Sequence, residues 1–175
     1  AQLASLDVGM DVRHMALTSS GDKLLLSRFI TKPLPGENTA SVSTVNAAGN
    51  PVGADVLVVD PRSMSLSKNV VLAHSERVDG SNSGRGIPNY LGAAAISPDG
   101  QTAWVPSKQD NVKRGTLRDG NNLEFKHTVR SISSRIDMGT LSEDLARRID
   151  HDNASLGSAA AFHPSGVYLF VALET

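Results

Sequence analysis

Cysteine is absent from the 175 residues. That one absence excludes disulfides, thiolate metal sites, a cysteine nucleophile and covalent haem attachment through a CxxCH motif. An excess of one charge is also missing: 17 Lys and Arg stand against 18 Asp and Glu, for a net charge of −1. Binding to a phosphate backbone therefore has no electrostatic footprint, and no nucleic-acid partner is expected. Long apolar runs are lacking too. The longest, residues 167–173, is about a third of the ~20 residues that cross a bilayer, so no membrane span is expected. The five histidines, His14, His74, His127, His151 and His163, are scattered; no two stand at i, i+2 or i, i+4, so there is no local zinc or copper pair. No basic-then-apolar leader precedes the first apolar stretch, so any targeting signal is expected to have been removed. What is present, 39% hydrophobic and 20% charged residues, is the balance of a globular domain.

Within that composition a sentence is repeated. "AAAISPDGQTAWVPSK" (93–108) and "AAAFHPSGVYLFVALET" (159–175) match, and "HMALTSSGDKLLLSRF" (14–29) is a weaker third copy. Aligning Gly21, Gly100 and Gly166 superposes Ala16, Ala95 and Ala161, and also Leu25, Trp104 and Phe170. Each copy reads as a short strand, a tight polar turn with glycine at φ > 0, and a more apolar second strand. Those second strands are nearly continuous apolar runs, so they are expected to be covered on both faces. A further strand–turn–strand unit follows each of the first two copies, at 55–73 and 129–150, with Asp60 and Asp137 in equivalent places. Two hairpins in succession make one four-stranded antiparallel unit.

Four-stranded units that repeat and bury both faces against neighbours are β-propeller blades. The fold class is therefore expected to be all-β: a β-propeller fragment of about two four-stranded antiparallel blades, a leading strand at 3–8 and a terminal hairpin. The whole of 1–175 reads as a partial propeller, with blade one at about 13–73, blade two at about 92–150 and the start of blade three at about 157–175. The remainder of the ring is the first expected partner, supplied by the same gene product, another chain or a symmetric copy. Its absence would leave blade edges open to self-association.

The alanine–hydrophobic–Ser–Pro–Asp–Gly hairpin followed by a Val–hydrophobic–Asp strand resembles the YVTN-type bacterial propeller repeat over most of the chain. "NYLGAAAISPDGQTAWVPSKQDNVKRG", "VRSISSRID", "IDHDNAS" and "YLFVALET" resemble, more narrowly, the propeller region of exported bacterial proteins joined to a cytochrome c domain of the di-haem peroxidase type. That resemblance implies a periplasmic or extracellular location, and haem electron-transfer or peroxidase chemistry located outside this chain.

Gly21 to Gly100 spans 79 residues and Gly100 to Gly166 spans 66, whereas a plain blade of this kind needs ~40–45. The surplus lies in three polar loops, 31–54, 74–92 and 108–127. Long loops on a rigid scaffold are where binding usually resides; the competing reading is that they shield blade edges.

Candidate chemistry is thin. "DGSNSG" (79–84) begins like an EF-hand calcium loop, but Tyr90 stands where the bidentate acid must be. A looser calcium site at Asp79, or at Asp150 and Asp152 in "DHDN", competes with plain Asx turns and strand-end solvation. Calcium is the one cofactor these residues suit. His14 begins a first strand where the other copies have Ala93 and Ala159, and is the candidate to face a central channel, against the reading of a hydrogen-bonded structural histidine. His163 reads as a turn residue in the place of Ser97. "GSNSG" has Asn82 where a nucleophile elbow needs serine, and "GRGIPN" lacks the last glycine of a dinucleotide loop. Period-2 spacing puts Arg130 and Arg135 on opposite faces of one strand.

The segment is therefore expected to be a non-catalytic binding or docking module of a larger exported bacterial protein, meeting a protein partner through its rim loops. The alternative is a propeller enzyme or metalloprotein, such as a lactonase-like hydrolase, with a metal in the central channel.

Overall fold

In a computed structural model, residues 3–80, 83–151 and 154–174 are described. Three antiparallel sheets follow one another along the chain. Blade one is β1 (Val12–Leu17), β2 (Leu24–Arg28), β3 (Gly53–Asp60) and β4 (Ser65–Ala73), hydrogen-bonded in sequence order. A short strand β5 (Ser75–Glu76) then pairs with β6 (Arg85–Asn89). Blade two has β7 (Ala95–Ile96), β8 (Thr102–Asp110), the one-turn helix α1 (Phe125–Thr128), β9 (Val129–Asp137), β10 (Ser142–Glu143) and β11 (Ile149–His151). The chain ends on the hairpin β12 (Leu156–Phe162) and β13 (Leu169–Glu174). This is the all-β architecture of a β-propeller fragment. No helix among the described residues is long and apolar enough to cross a membrane.

The repeat is visible in hydrogen bonds. In the first-hairpin turns Thr18 N–H donates to Lys23 O, Ser97 N–H to Thr102 O and His163 N–H to Tyr168 O, at 3.0, 2.8 and 2.9 Å. Gly21, Gly100 and Gly166 have φ of 67°, 69° and 74°, a region that a Cβ disfavours. In the second-hairpin turns, Asp60 Oδ1 accepts from Arg62 N–H at 2.8 Å, and Asp137 Oδ1 from Thr140 N–H at 2.8 Å. Four residues on, Met64 and Leu141 are both left-handed, at 49° and 50°. Two non-glycine residues are thus held in the same uncommon conformation at the same place in each blade.

Each blade has two faces, and the alternation of side chains assigns them. Ala16, Leu25, Val56 and Val58 form the front of blade one and pack on Ala94, Ile96, Ala103 and Val105, the back of blade two. Trp104 and Pro106 lie on the opposite, front face of β8, the side on which the β12–β13 hairpin is stacked; there Ser131 N–H donates to Ala154 O at 3.1 Å. Front-on-back stacking therefore occurs twice.

Three features depart from the sequence reading. First, residues 3–8 do not form a strand. They cross the back of blade one, with Leu6 and Val8 packed on Leu26, Leu57 and Val59, and left-handed Gly9 (80°) and Asp11 (63°) turn the chain before β1. Second, 85–89 is a strand and not loop. "RGIPN" pairs with the far end of β8, Ile87 opposite Asp110 and Asn89 opposite Lys108, so the inner edge of blade two begins well before residue 92. Third, the outer strand of blade two is broken: β10 and β11 pair with opposite ends of β9, separated by a 3-10 turn at Leu145–Arg147.

The cause of that break is a buried ion pair. Arg148 and Glu143 side chains are 0% and 4% exposed and meet at 2.5 Å. Together they grip the end of β4: Glu143 Oε2 accepts from Ala73 N–H at 2.7 Å, and Arg148 Nη2 donates to Ala73 O at 2.6 Å. Arg148 Nη1 also donates to Gln109 Oε1, and Gln109 Nε2 to Gly84 O, both at 3.0 Å. The pair thereby clasps blade one to blade two. Removing one partner strands a buried charge, so Arg148→Ala is expected to cost about 3–5 kcal/mol in urea unfolding, while joint replacement by Glu143→Met and Arg148→Met costs less than half of that. Equal losses for the single and double variants would show that the charge pairing is not what holds the seam.

Candidate functional site

A meander of four strands alternates its ends, so the first-to-second and third-to-fourth turns share one rim. The connections from second to third strand, and from one blade to the next, share the other. The hairpin turns at Gly21, Asp60, Gly100, Asp137 and Gly166 lie on the first rim, and all three long insertions lie on the second. The sequence located the surplus; the topology gathers it on one side.

The insertions brace one another there. In the first, Thr31 N–H donates to Asn89 Oδ1 at 3.0 Å and Thr31 Oγ1 to Pro88 O at 2.6 Å, tying its root to β6. Leu34 is buried, and Leu34 N–H donates to Glu37 Oε2 at 2.6 Å. The Arg118 guanidinium, from the third insertion, donates to Glu37 O and to Val112 O, joining first and third. Lys113 meets Glu76 at 2.5 Å, and Arg114 Nη1 lies 3.5 Å from Asp79 Oδ2, joining third and second. At the root of the second insertion, Arg77 donates to the carbonyls of Leu145, Ala146 and Arg148 at 2.8–2.9 Å, which caps the 3-10 turn.

Asp79 is the hub of this bracing. Its Oδ1 accepts from Arg85 N–H at 2.9 Å, and its Oδ2 from Asn111 Nδ2 at 3.4 Å. Asp150 is enclosed: its side chain is 1% exposed, and Arg77 Nη1 is 3.7 Å from its Oδ2. Burial raises its carboxyl above the usual range, opposed by the charges of Arg77, Arg130 and Arg148. Three guanidinium groups around one carboxylate repel a divalent cation. Asp152 lies outside the described residues. Asp79 and Asp150 belong to one charged layer, yet among the described residues no three His, Asp or Glu side chains are grouped to hold a metal ion.

His14 shares the front face of β1 with Ala16 and looks toward blade two, its ring 6.4 Å from that of Phe29. Beside it runs a column that sequence spacing did not reveal. The rings of Phe29 and Tyr90 stack at 4.7 Å, Arg13 lies 4.0 Å over the outer face of Phe29, and Lys108 lies 4.1 Å over Tyr90. These are cation–π contacts, and they join the inner edges of blades one and two. Tyr90 reaches its place through a left-handed φ of 53°. His163 occupies its turn as Ser97 does, its Nδ1 2.7 Å from Ser165 Oγ. His151 Nε2 is 2.9 Å from Ser133 Oγ, and burial lowers its pKa.

No family model matches the chain. No curated protein matches it either. Among solved structures, hydrazine synthase of Kuenenia stuttgartiensis is similar at 13% identity and a TM-score of 0.35, over 91% of this chain and 61% of that one. The chain thus spans about 61% of that structure's length.

On the opposite rim a polar cleft of about 390 Å³ opens between the turns of blades one and two, lined by Thr18, Ser20, Asp22, Asp99 and Gln101 among others. Its side chains satisfy each other. Asp22 accepts from Thr18 at 2.7 Å and pairs with Lys23 at 2.6 Å, and these contacts hold its carboxyl well below the usual range, Lys23 contributing most. Asp99 Oδ1 accepts from Ser97 at 2.5 Å and from Gln101 N–H at 3.0 Å. Nothing there is poised for reaction.

His74, next to the clasp, gives the charged layer a pH signature. Its ring is fully enclosed, 3.2 Å from Glu76 Oε1, and burial pulls its pKa down to about 4. In the unfolded chain it titrates near 6.5. Its contribution to stability is therefore complete above that pH and is lost as pH falls toward 4, by at most about 3 kcal/mol. In His74→Gln that part of the acid-side decline is expected to disappear from the pH–stability curve; a curve parallel to that of the parent would show that His74 is not the titrating group.

Proposed function

We propose that this chain is a non-catalytic docking module of a larger exported bacterial protein, and that the insertion rim is its binding surface for a protein partner. The carrying observation is that all surplus length lies on one rim and is cross-braced by Arg118, Lys113 and Arg114. On that frame Val78, Leu117, Leu123 and Phe125 stand exposed, at 67–83%. Large apolar side chains held out on ordered loops are the usual anchors of protein interfaces. Because the bracing exists before the partner arrives, less ordering entropy is lost on binding. Any haem electron-transfer or peroxidase chemistry of the parent protein would sit outside these residues, in a periplasmic or extracellular setting.

Shortening the loops at 38–50 or 115–123 in the full-length protein is expected to abolish co-purification of the partner with the circular dichroism and melting profile retained, since exposed loops carry little of the core. Leu123→Ser with Phe125→Ser should weaken it at least ten-fold. His14→Ala, on β1 and outside the three insertions, should leave binding intact. Loss of an enzymatic turnover in His14→Ala, with partner binding unchanged, would overturn the docking reading in favour of channel chemistry.

A further inference from the structure

The first strands of the three repeats carry the same irregularity. In β1 the register slips between Val12 and His14, which leaves Arg13 as an extra residue; in β12 it slips between Gly157 and Ala159, which leaves Ser158. From Asn89 opposite Lys108 to Ala95 opposite Trp104, the inner edge of blade two takes two residues more than β8 does. Arg13, Gly92 and Ser158 each stand three residues before an aligned alanine, Ala16, Ala95 or Ala161. Bulges of this kind re-aim side chains and are frequent beside functional sites. In blades one and two the bulge follows a left-handed residue, Asp11 at 63° and its repeat equivalent Tyr90 at 53°. A bulky side chain keeps that backbone conformation only where its surroundings dictate it.

The surroundings here are the Phe29–Tyr90 stack. Leu91 N–H donates to Phe29 O at 3.2 Å, and the Leu91 side chain is buried in the core shared by the two blades, so the bulge of blade two is fastened to blade one beside the rings. The cations around the stack differ in what else they hold. Lys108 Nζ, over Tyr90, is also 3.0 Å from Asp110 Oδ1. Arg28 donates to Val8 O and Met10 O, and its Nε lies 3.4 Å from Asp55 Oδ2. Arg13 is exposed, and among the described residues its guanidinium forms no ion pair and donates no hydrogen bond; its one contact is the Phe29 ring, 4.0 Å away. A guanidinium laid on a ring uses its face and leaves its N–H edge free, and that edge is a fork matched to the two oxygens of a carboxylate. Phe29 precedes the first insertion, Tyr90 lies in the second and Lys108 opens the third, so the fork stands where the three loops leave the scaffold.

We propose that Arg13, held on Phe29, anchors a carboxylate-binding site at the inner edge of blades one and two. Its planar fork takes both oxygens of the carboxylate, while the Phe29–Tyr90 stack and the two bulges keep the fork in place. Because the side chain is positioned in advance, less rotamer entropy is lost on binding than at an unsupported arginine. The carboxylate is carried either by a free small molecule or by an acidic side chain of a protein seated on the insertion rim, and the recognition chemistry is the same for both. The site stands on this geometry alone and does not need the docking reading.

Titration with sodium acetate, at an ionic strength held constant with chloride, tests the site through two NMR signals, the Arg13 Nε–H and the backbone N–H of Phe29. Both are expected to reach half-saturation at an acetate concentration about five-fold or more below that of free acetylarginine amide in the same buffer. Phe29→Leu, which removes the ring and leaves the arginine, should bring Arg13 to the free value. Arg13→Lys keeps the charge and loses the fork, and should abolish the response at Phe29. Half-saturation of Arg13 at the free value in the parent overturns the proposal, as does an advantage that survives Phe29→Leu with an unchanged circular dichroism spectrum. If Phe29→Leu does not fold, Arg13→Lys decides: an undiminished acetate response at Phe29 overturns the site. Co-purification from the full-length protein then separates the two sources. Loss of the partner in Arg13→Lys assigns the carboxylate to the partner, and its retention, with the acetate response gone, assigns it to a free small molecule. Loss of the partner on shortening the loops with no acetate response at Arg13 overturns the site and leaves the docking reading standing.

Discussion

The seam between blades one and two is closed by one buried contact, the Glu143–Arg148 pair held on both backbone groups of Ala73. A carboxylate and a guanidinium taken out of water lose several kcal/mol of hydration each, which only excellent geometry and further hydrogen bonds offset. Here the offset comes from Ala73 and Gln109, so the pair stabilises one arrangement of the two blades and no neighbouring one. The broken outer strand follows from it. A continuous strand from 142 to 151 would carry Arg148 away from Glu143, so the 3-10 turn is the conformation that brings the two together. Arg77, which caps that turn, and Asp79, which receives Arg114 and Asn111, extend the same charged layer outward into the loops.

Much of the fold was legible because its signals are local. The Gly21, Gly100 and Gly166 turns, and Asp60 and Asp137, each depend on a few neighbouring residues whose backbone demands are fixed by residue type. Three elements escaped for the opposite reason. "RGIPN" carries glycine and proline, which mark a loop when read alone, and becomes a strand only because the far end of β8 lies open beside it. Residues 3–8 have the apolar content of a strand, but the left-handed residues Gly9 and Asp11 and the Arg28 guanidinium lay them across a face. The broken outer strand is set by a pair five residues apart together with the backbone of Ala73, about seventy residues away, and no spacing rule contains that.

The candidate site divides in the same way. That the loops hold the surplus was readable from the distances between glycines. That they share a rim came from the parity of strand connections, and that they are ordered came from Arg118, Lys113 and Arg114, whose partners lie on other loops. Asp79 and Asp150 were singled out as oxygen donors for a cation. Their partners are already in place, with the Arg85 N–H, the Asn111 amide and the Arg114 guanidinium at the first and the charges of Arg77, Arg130 and Arg148 around the second. A carboxylate's neighbours, invisible in a linear reading, decide whether it is a ligand or a counter-ion.

One further consequence follows from where a single residue falls in the repeat. Trp104 is the sole tryptophan, and it occupies the position that Leu25 holds in blade one and Phe170 holds in the hairpin. It therefore lies on the front of blade two, on the side where the hairpin is stacked. The chain carries its own optical reporter at one seam and none at the other. Indole emission follows hydration, so a red shift on mild heating or in low denaturant registers the parting of the hairpin from blade two. The clasped seam between blades one and two stays silent at that wavelength. The order in which the stack opens is thereby written into the natural fluorescence, with no label attached.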